Sequence, residues 1–314
     1  TDYVSIIAIG LPFFTLSVGG NHLIRADRSP TYSMMCTLTG AIINTILDPL
    51  FIFGFKWGVF GAVLATLIAR MVACTIILKT LSHKNNELYV DDYLHWHFDF
   101  TYIKKILTIG IPSGLEMFQF GKILVQSLIA SFGTYSIAAN AVSNNLAQMQ
   151  IIPGMAMSLA MVTVVGRCVG ANDYKQAKYY IKKLMKITYI TMAVLITVLL
   201  VFTPIILKFY ALSKETIDLA YQCIFIHTIF AATIWPLAFT FPNALRASND
   251  AKFTMIVSAT SMWIFRFCFS YVIGRYMGYG LLGVWIAMFI DWIVRSIFFI
   301  WRYHSGKWMN KQLV

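Results

Sequence analysis

The chain reads as an all-α integral membrane protein, a polytopic helical bundle, and three observations lead there. Hydrophobic residues make up 59% of its 314 residues and charged residues only 12%, against about 25% charged in ordinary soluble domains. Mean hydropathy is +0.70, and apolar runs of about 20 residues, the length that crosses a bilayer as helix, recur along the whole chain. Basic residues give a net charge of +12, but they fall between the apolar runs and not on one face or tail. That distribution follows membrane orientation and argues against a nucleic-acid partner.

Nine spans are predicted, at about 4–23, 32–54, 58–80, 103–132, 137–166, 184–207, 216–241, 252–274 and 280–301. Most borders carry Gly, Pro or a charge, and Trp57, Trp96, Trp301 and Trp308 lie near span ends, as interfacial anchors do. With residue 1 outside, seventeen Lys/Arg fall on the inner side and four outside. The expected setting is therefore the plasma (inner) membrane, multi-pass, with residue 1 outside and the C-terminus cytoplasmic.

A faint repeat joins the two ends. Asn21, Leu23, Arg25, Ala26, Met34, Gly54, Gly58, Gly61, Ala65 and Ile68 recur about 222 residues later as Asn243, Leu245, Arg246, Ala247, Met255, Gly274, Gly280, Gly283, Ala287 and Ile290. Residues 1–102 match 223–314, while 103–222 have no upstream counterpart. The expectation is that about three further spans precede Thr1, making twelve in two six-helix lobes related by an axis along the membrane normal. On that frame 1–81 holds the last three helices of an N-lobe and 103–314 a complete C-lobe. The polar stretch 82–102 is a cytoplasmic connector, either an interfacial helix or a solvated loop.

The ordered segments IGIPSGLE (109–116), IPG (152–154), GRCVGANDYKQAKYY (166–180), NALRASND (243–250) and LGVWIAMFIDWIVR (282–295) resemble a multidrug and toxic compound extrusion (MATE) transporter. NTILDPLFIFG (44–54) and GVFGAVLAT (58–66) fit the same family. The resemblance implies a cleft between two lobes that opens alternately to each side, expelling drugs or organic cations in exchange for Na⁺ or H⁺. It implies amphiphilic or cationic substrates, a monomer, and no cofactor beyond the coupling ion. The first three helices of the N-lobe, which carry an essential acid in many members, would lie upstream. A lipid-linked precursor flippase of related fold, or an inactive fragment, are the alternatives.

Ionisable and amide groups inside spans are the candidate site, because placing them in hydrocarbon is costly. Glu116, Gln119 and Lys122 follow Pro112 at three-residue spacing, and read either as a coupling-ion or substrate site or as a neutralised pair that fixes packing. Asn140, Asn144 and Gln148 lie at four-residue steps, and such amides either join helices by hydrogen bonds or line a path, the spacing slightly favouring a lining stripe. Arg266 has no acid within a turn, and either finds a partner on another helix, such as Asp291, or lines a wet cavity. Asp291 and Arg295 have the spacing of a helical ion pair. Asp48 with Pro49, and Pro153, Pro236 and Pro242, are candidate gating or structural positions. His227 stands alone on an apolar helix and reads as a packed neutral side chain or a proton relay. The five cysteines are scattered, no metal site is expected, and no nucleophile elbow, zinc motif or phosphate-binding loop points to an enzyme.

Overall fold

The computed structural model describes residues 2–27, 30–82, 99–117, 120–210 and 212–310, and every regular element among them is helical. Among the described residues, eight helices are long and apolar enough to cross a membrane. The chain separates into two units, Thr1–Phe98 and Asp99–Val314. The expected connector falls largely outside the described residues.

The first unit holds α1 (Asp2–Asp27), α2 (Pro30–Pro49) and α3 (Gly58–Leu81). Helix α3 packs on both others, and small residues permit the approach. A Cβ on Gly20 would stand 2.3 Å from Ile77, and one on Gly40 would stand 3.0 Å from Ala73. The outward faces of α1 and α2 expose Ile9, Leu11, Phe14, Ile42 and Ile46, the pattern expected where lipid and not water is the neighbour.

The second unit contains α4 (Phe100–Met117), α5 (Phe120–Ala130), α6 (Thr134–Gly170), α7 (Tyr174–Phe209), α8 (Lys214–Thr233), α9 (Pro242–Ala247), α10 (Ala251–Ser261) and α11 (Gly280–His304). The fourth predicted span thus comprises α4 and α5, with 118–119 between them outside the described residues. Helices α6 and α7 run well past the predicted spans 137–166 and 184–207, leaving only a tight turn between them. Asp173 caps α7 by accepting from the Gln176 N–H at 2.8 Å. The stretch 174–186 is helical because it is amphipathic: Ala177, Ile181 and Met185 are buried at four-residue steps while the lysines face outward.

Four segments are wound as π-helix: Leu50–Gly54 after Pro49, Pro236–Thr240, Met262–Cys268 and Ser270–Tyr276. Pro236 lacks an N–H and opens its π turn, and its carbonyl accepts from Phe241 N at 2.9 Å. Pro153, by contrast, sits within a continuous α6. The neighbouring Gly154 lets Trp235 and Met192 approach; a Cβ there would stand 2.2 Å from the Trp235 ring.

The repeat is visible atom by atom. Phe55 N and Trp57 N donate to the carbonyls of Leu50 and Phe51, and Met277 N and Tyr279 N donate to those of Val272 and Ile273. Gly58 and Gly280 both have φ +54°, a left-handed conformation that favours glycine. The second glycine of each G-x-x-G meets the preceding span backbone to backbone. A Cβ on Gly61 would lie 2.9 Å from the Phe51 main chain, and one on Gly283 would lie 2.7 Å from that of Gly274. Gly61→Ala and Gly283→Ala are each expected to cost about 1–3 kcal/mol from overpacking. Gly166→Ala, with open space around its Cβ position, should cost nothing. Thermal unfolding of the purified variants in detergent distinguishes these outcomes.

Candidate functional site

Helix α11 carries Trp285, Phe289 and Trp292 at i, i+4 and i+7, and this stripe faces His227 of α8. The imidazole centroid is 5.7, 6.3 and 5.4 Å from the three rings. His227 is buried, and its Nδ1 lies 2.7 Å from Gln150 Oε1 of α6. Because an amide oxygen only accepts, Nδ1 carries the hydrogen in this assignment. Gln150 Nε2 donates to Thr228 Oγ1 at 2.9 Å, and Thr228 donates to the Ile224 carbonyl at 2.9 Å. Each group in the chain therefore has a role that agrees with its neighbours, which is what a low-dielectric setting requires.

Beside this chain lies a charged cluster. Asp291 is fully buried. Its Oδ1 accepts from Ser261 Oγ at 2.5 Å and from Arg295 Nε at 2.8 Å. The i, i+4 ion pair expected from spacing is thus formed, and the Arg295 guanidinium also stands over the Phe239 ring at 5.7 Å. Arg266 interacts electrostatically with both Asp291 and Arg295. Its segment, Met262–Cys268, is π-wound, with a wider turn than a continuous α-helix. Asp291 Oδ2 and Trp292 Nε1 are buried without a hydrogen-bond partner among the described residues. Arg295 pairs with this carboxylate, while Arg266 feels its charge from the neighbouring span without a hydrogen bond or ion pair to it among the described residues.

A family model described as MatE matches residues 112–272, just over half of the chain. The chain belongs to the MatE family. Its relatives include the probable multidrug resistance protein YoeA of Bacillus subtilis, 24% identical over 99% of this chain and 69% of that protein. The probable multidrug resistance protein NorM of Bacillus licheniformis is 28% identical over 91% of this chain and 65% of its own length. Two solved structures share the fold. One is an outward-facing multidrug resistance MATE family transporter, with TM-score 0.89 and 20% identity. The other is a MOP superfamily transporter from Pyrococcus furiosus, with TM-score 0.88 and 22% identity. Each alignment covers 99% of this chain and 70% of the other. With eight membrane-length helices, this MatE protein is a multi-pass membrane protein.

The other candidate residues are distributed as follows. Asn140 is buried and bridges helices, accepting from Trp285 Nε1 at 3.1 Å and donating to Gln126 Oε1 at 3.3 Å. Asn144 and Gln148 are exposed, and Asn144 donates to the Asn140 carbonyl at 2.8 Å. The three therefore do not form one uniform stripe. Asp48 receives a long 3.5 Å bond from Asn44, which also reaches Thr66 of α3 at 3.4 Å. Gln119 lies outside the described residues, as do the side chains of Pro112, Glu116 and Lys122.

Sequence reasoning missed a second, duplicated cluster. In the first unit Arg25 Nε donates to Ser33 Oγ at 2.8 Å, and Ser33 donates to Asn21 Oδ1 at 2.9 Å. In the second, Arg246 donates to Asn243 Oδ1 at 2.9 Å and to Thr254 Oγ1 at 3.4 Å. Both join one helix end to the start of the next span. The Asn and Arg identities were visible in the repeat; the hydroxyl partners differ between copies and gave no signal. Ser261 and the pairing of Gln150 with His227 were missed for a similar reason, since the partners lie 30 and 77 residues away.

Asp291→Asn is expected to destabilise the protein by about 3–5 kcal/mol, because it strands the Arg295 charge. Adding Arg295→Gln should recover part of that loss. Gln150→Leu, which removes the acceptor of His227, should cost about 1–3 kcal/mol. Denaturant or thermal unfolding of the four proteins checks both expectations.

Proposed function

We propose that this MatE protein is a secondary active exporter of drugs or organic cations, exchanging them for Na⁺ or H⁺ by alternating access. It would work in the inner membrane with its C-terminus cytoplasmic. The observation that carries this reading is the MatE match, taken with relatives named as probable multidrug resistance proteins. One structural relative is described as outward-facing, which accords with a cleft that changes side. Helix π segments beside Pro236 and Pro49 offer places where spans can bend without losing backbone hydrogen bonds.

On this reading, Arg266, Asp291, Asn140, Asn144, Gln148 and the Glu116–Gln119–Lys122 group supply the substrate or ion contacts. Arg295, Asp48 and the prolines 112, 153, 236 and 242 serve packing and gating. A second reading is favoured by one observation, the excess of guanidinium over carboxylate around Asp291. It would suit the phosphate of a lipid-linked precursor better than a cationic drug. The Pyrococcus furiosus relative is itself described as having a binding pocket of reverse polarity that suggests a different function.

Everted vesicles containing the protein at its full natural length should accumulate ethidium while a Na⁺ or H⁺ gradient is imposed. Accumulation should stop when both gradients are collapsed and should persist without ATP. Glu116→Gln should abolish most of the rate at unchanged protein level, with Lys122→Ala as its companion. If ethidium is not moved but a fluorescent lipid phosphate is flipped, the exporter reading fails and the second stands.

A further inference from the structure

The start of α7 carries a lysine face that the transport reading does not use. Lys175, Lys178, Lys182 and Lys186 fall at i, i+3, i+7 and i+11, Lys183 flanks them, and all five are exposed. Residues 174–186 contain no acid. The acid that precedes them, Asp173, is engaged as the helix cap. The opposite face, with Ala177, Ile181 and Met185, is buried against the protein, so the lysines cannot turn inward.

This arrangement works against the helix that bears it. Like charges at i, i+3 and i+4 repel, and Lys175 lies in the first turn, where the helix dipole disfavours a cation. An external anion would relieve both effects.

The helix also shows where the membrane boundary lies. Between Lys186 and Lys208 no residue is charged, and those 21 residues span about 31 Å. The hydrocarbon core is about 30 Å thick and the headgroup layer adds roughly 5–8 Å on each side. Lys186 then stands at the edge of the core, and Lys182 and Lys183 lie about 5 Å beyond it, among the headgroups. Lys178 and Lys175 reach about 12 and 16 Å from the core edge, beyond the headgroup layer, where screening weakens the attraction.

We infer that Lys182, Lys183 and Lys186 form a binding face for the headgroups of acidic phospholipids in the inner leaflet. The inference concerns a surface outside the candidate transport site. Its test reads lipid binding alone, so it can fail or hold independently of the exporter reading.

The protein at full natural length is placed in nanodiscs of phosphatidylcholine with or without phosphatidylglycerol, and retained phosphatidylglycerol is counted by native mass spectrometry. An attraction near the surface corresponds to about fivefold in affinity per lysine. Lys182→Gln/Lys183→Gln/Lys186→Gln should therefore lower phosphatidylglycerol affinity about a hundredfold. Lys175→Gln/Lys178→Gln should lower it much less than the inner three do, and the triple Lys→Arg variant should bind as the native protein does. Should the triple Gln variant fail to fold, Lys186→Gln alone is expected to lower affinity about fivefold. Unchanged retention in these Gln variants overturns the inference. So does an outer pair that matters as much as the inner three, since that would assign the stripe to a soluble acidic macromolecule.

Discussion

Hydrocarbon offers no hydrogen bonds, so every polar group in a span must find its partner inside the protein. That constraint orders most of this structure. Isolated threonines meet it locally: Thr15, Thr45, Thr75 and Thr197 return their hydroxyls to the carbonyl four residues back. Amides meet it between helices, as when Asn140 takes the Trp285 indole N–H and Gln150 links His227 to Thr228. Asp291 meets it at Oδ1, with a hydroxyl from one span and a guanidinium from its own, while its Oδ2 is left unpartnered among the described residues. The same constraint explains the π segments. Where proline or crowding disturbs the α pattern, the backbone rewinds to i to i+5 bonds and leaves few groups unpaired.

The features legible in the sequence were those with a simple period. Apolar runs located the spans, and G-x-x-G marked the starts of α3 and α11, because backbone contact there admits only glycine. The Asp291–Arg295 pair was legible because both partners share one helix. The extent of α7 was not, since its lysines resembled a loop until burial of Ala177, Ile181 and Met185 showed the other face. Partnerships across helices, such as Gln150 with His227, leave no trace at any fixed spacing. Nor does π winding, since periodicity arguments assume 3.6 residues per turn.

The repeat also supplies a control for the charged cluster. Ser33 and Thr254 stand 221 apart, whereas Leu50 and Val272, with their equivalent hydrogen bonds, stand 222 apart. The second copy therefore carries one extra residue between those points. That is where its helix is π-wound over Met262–Cys268, and an i to i+5 turn accommodates one residue more than an i to i+4 turn.

In the first copy the same backbone is built without these charges. Counting from the shared glycines 61 and 283, Asp291 corresponds to Ala69 and Arg295 to Ala73. There the helices close by small-residue contact, with Gly40 packed against Ala73 and the Ala69 carbonyl. One fold element thus exists in two versions, one closed by alanine and glycine and one holding an Arg295–Asp291 ion pair with Arg266 in the neighbouring span. The alanine version is the less costly way to pack a span, because buried ion pairs seldom repay their desolvation. Helix packing alone therefore does not account for Arg266, Asp291 and Arg295. Their cost makes sense if the charges interact with something that moves, which is what the exporter reading asks of them.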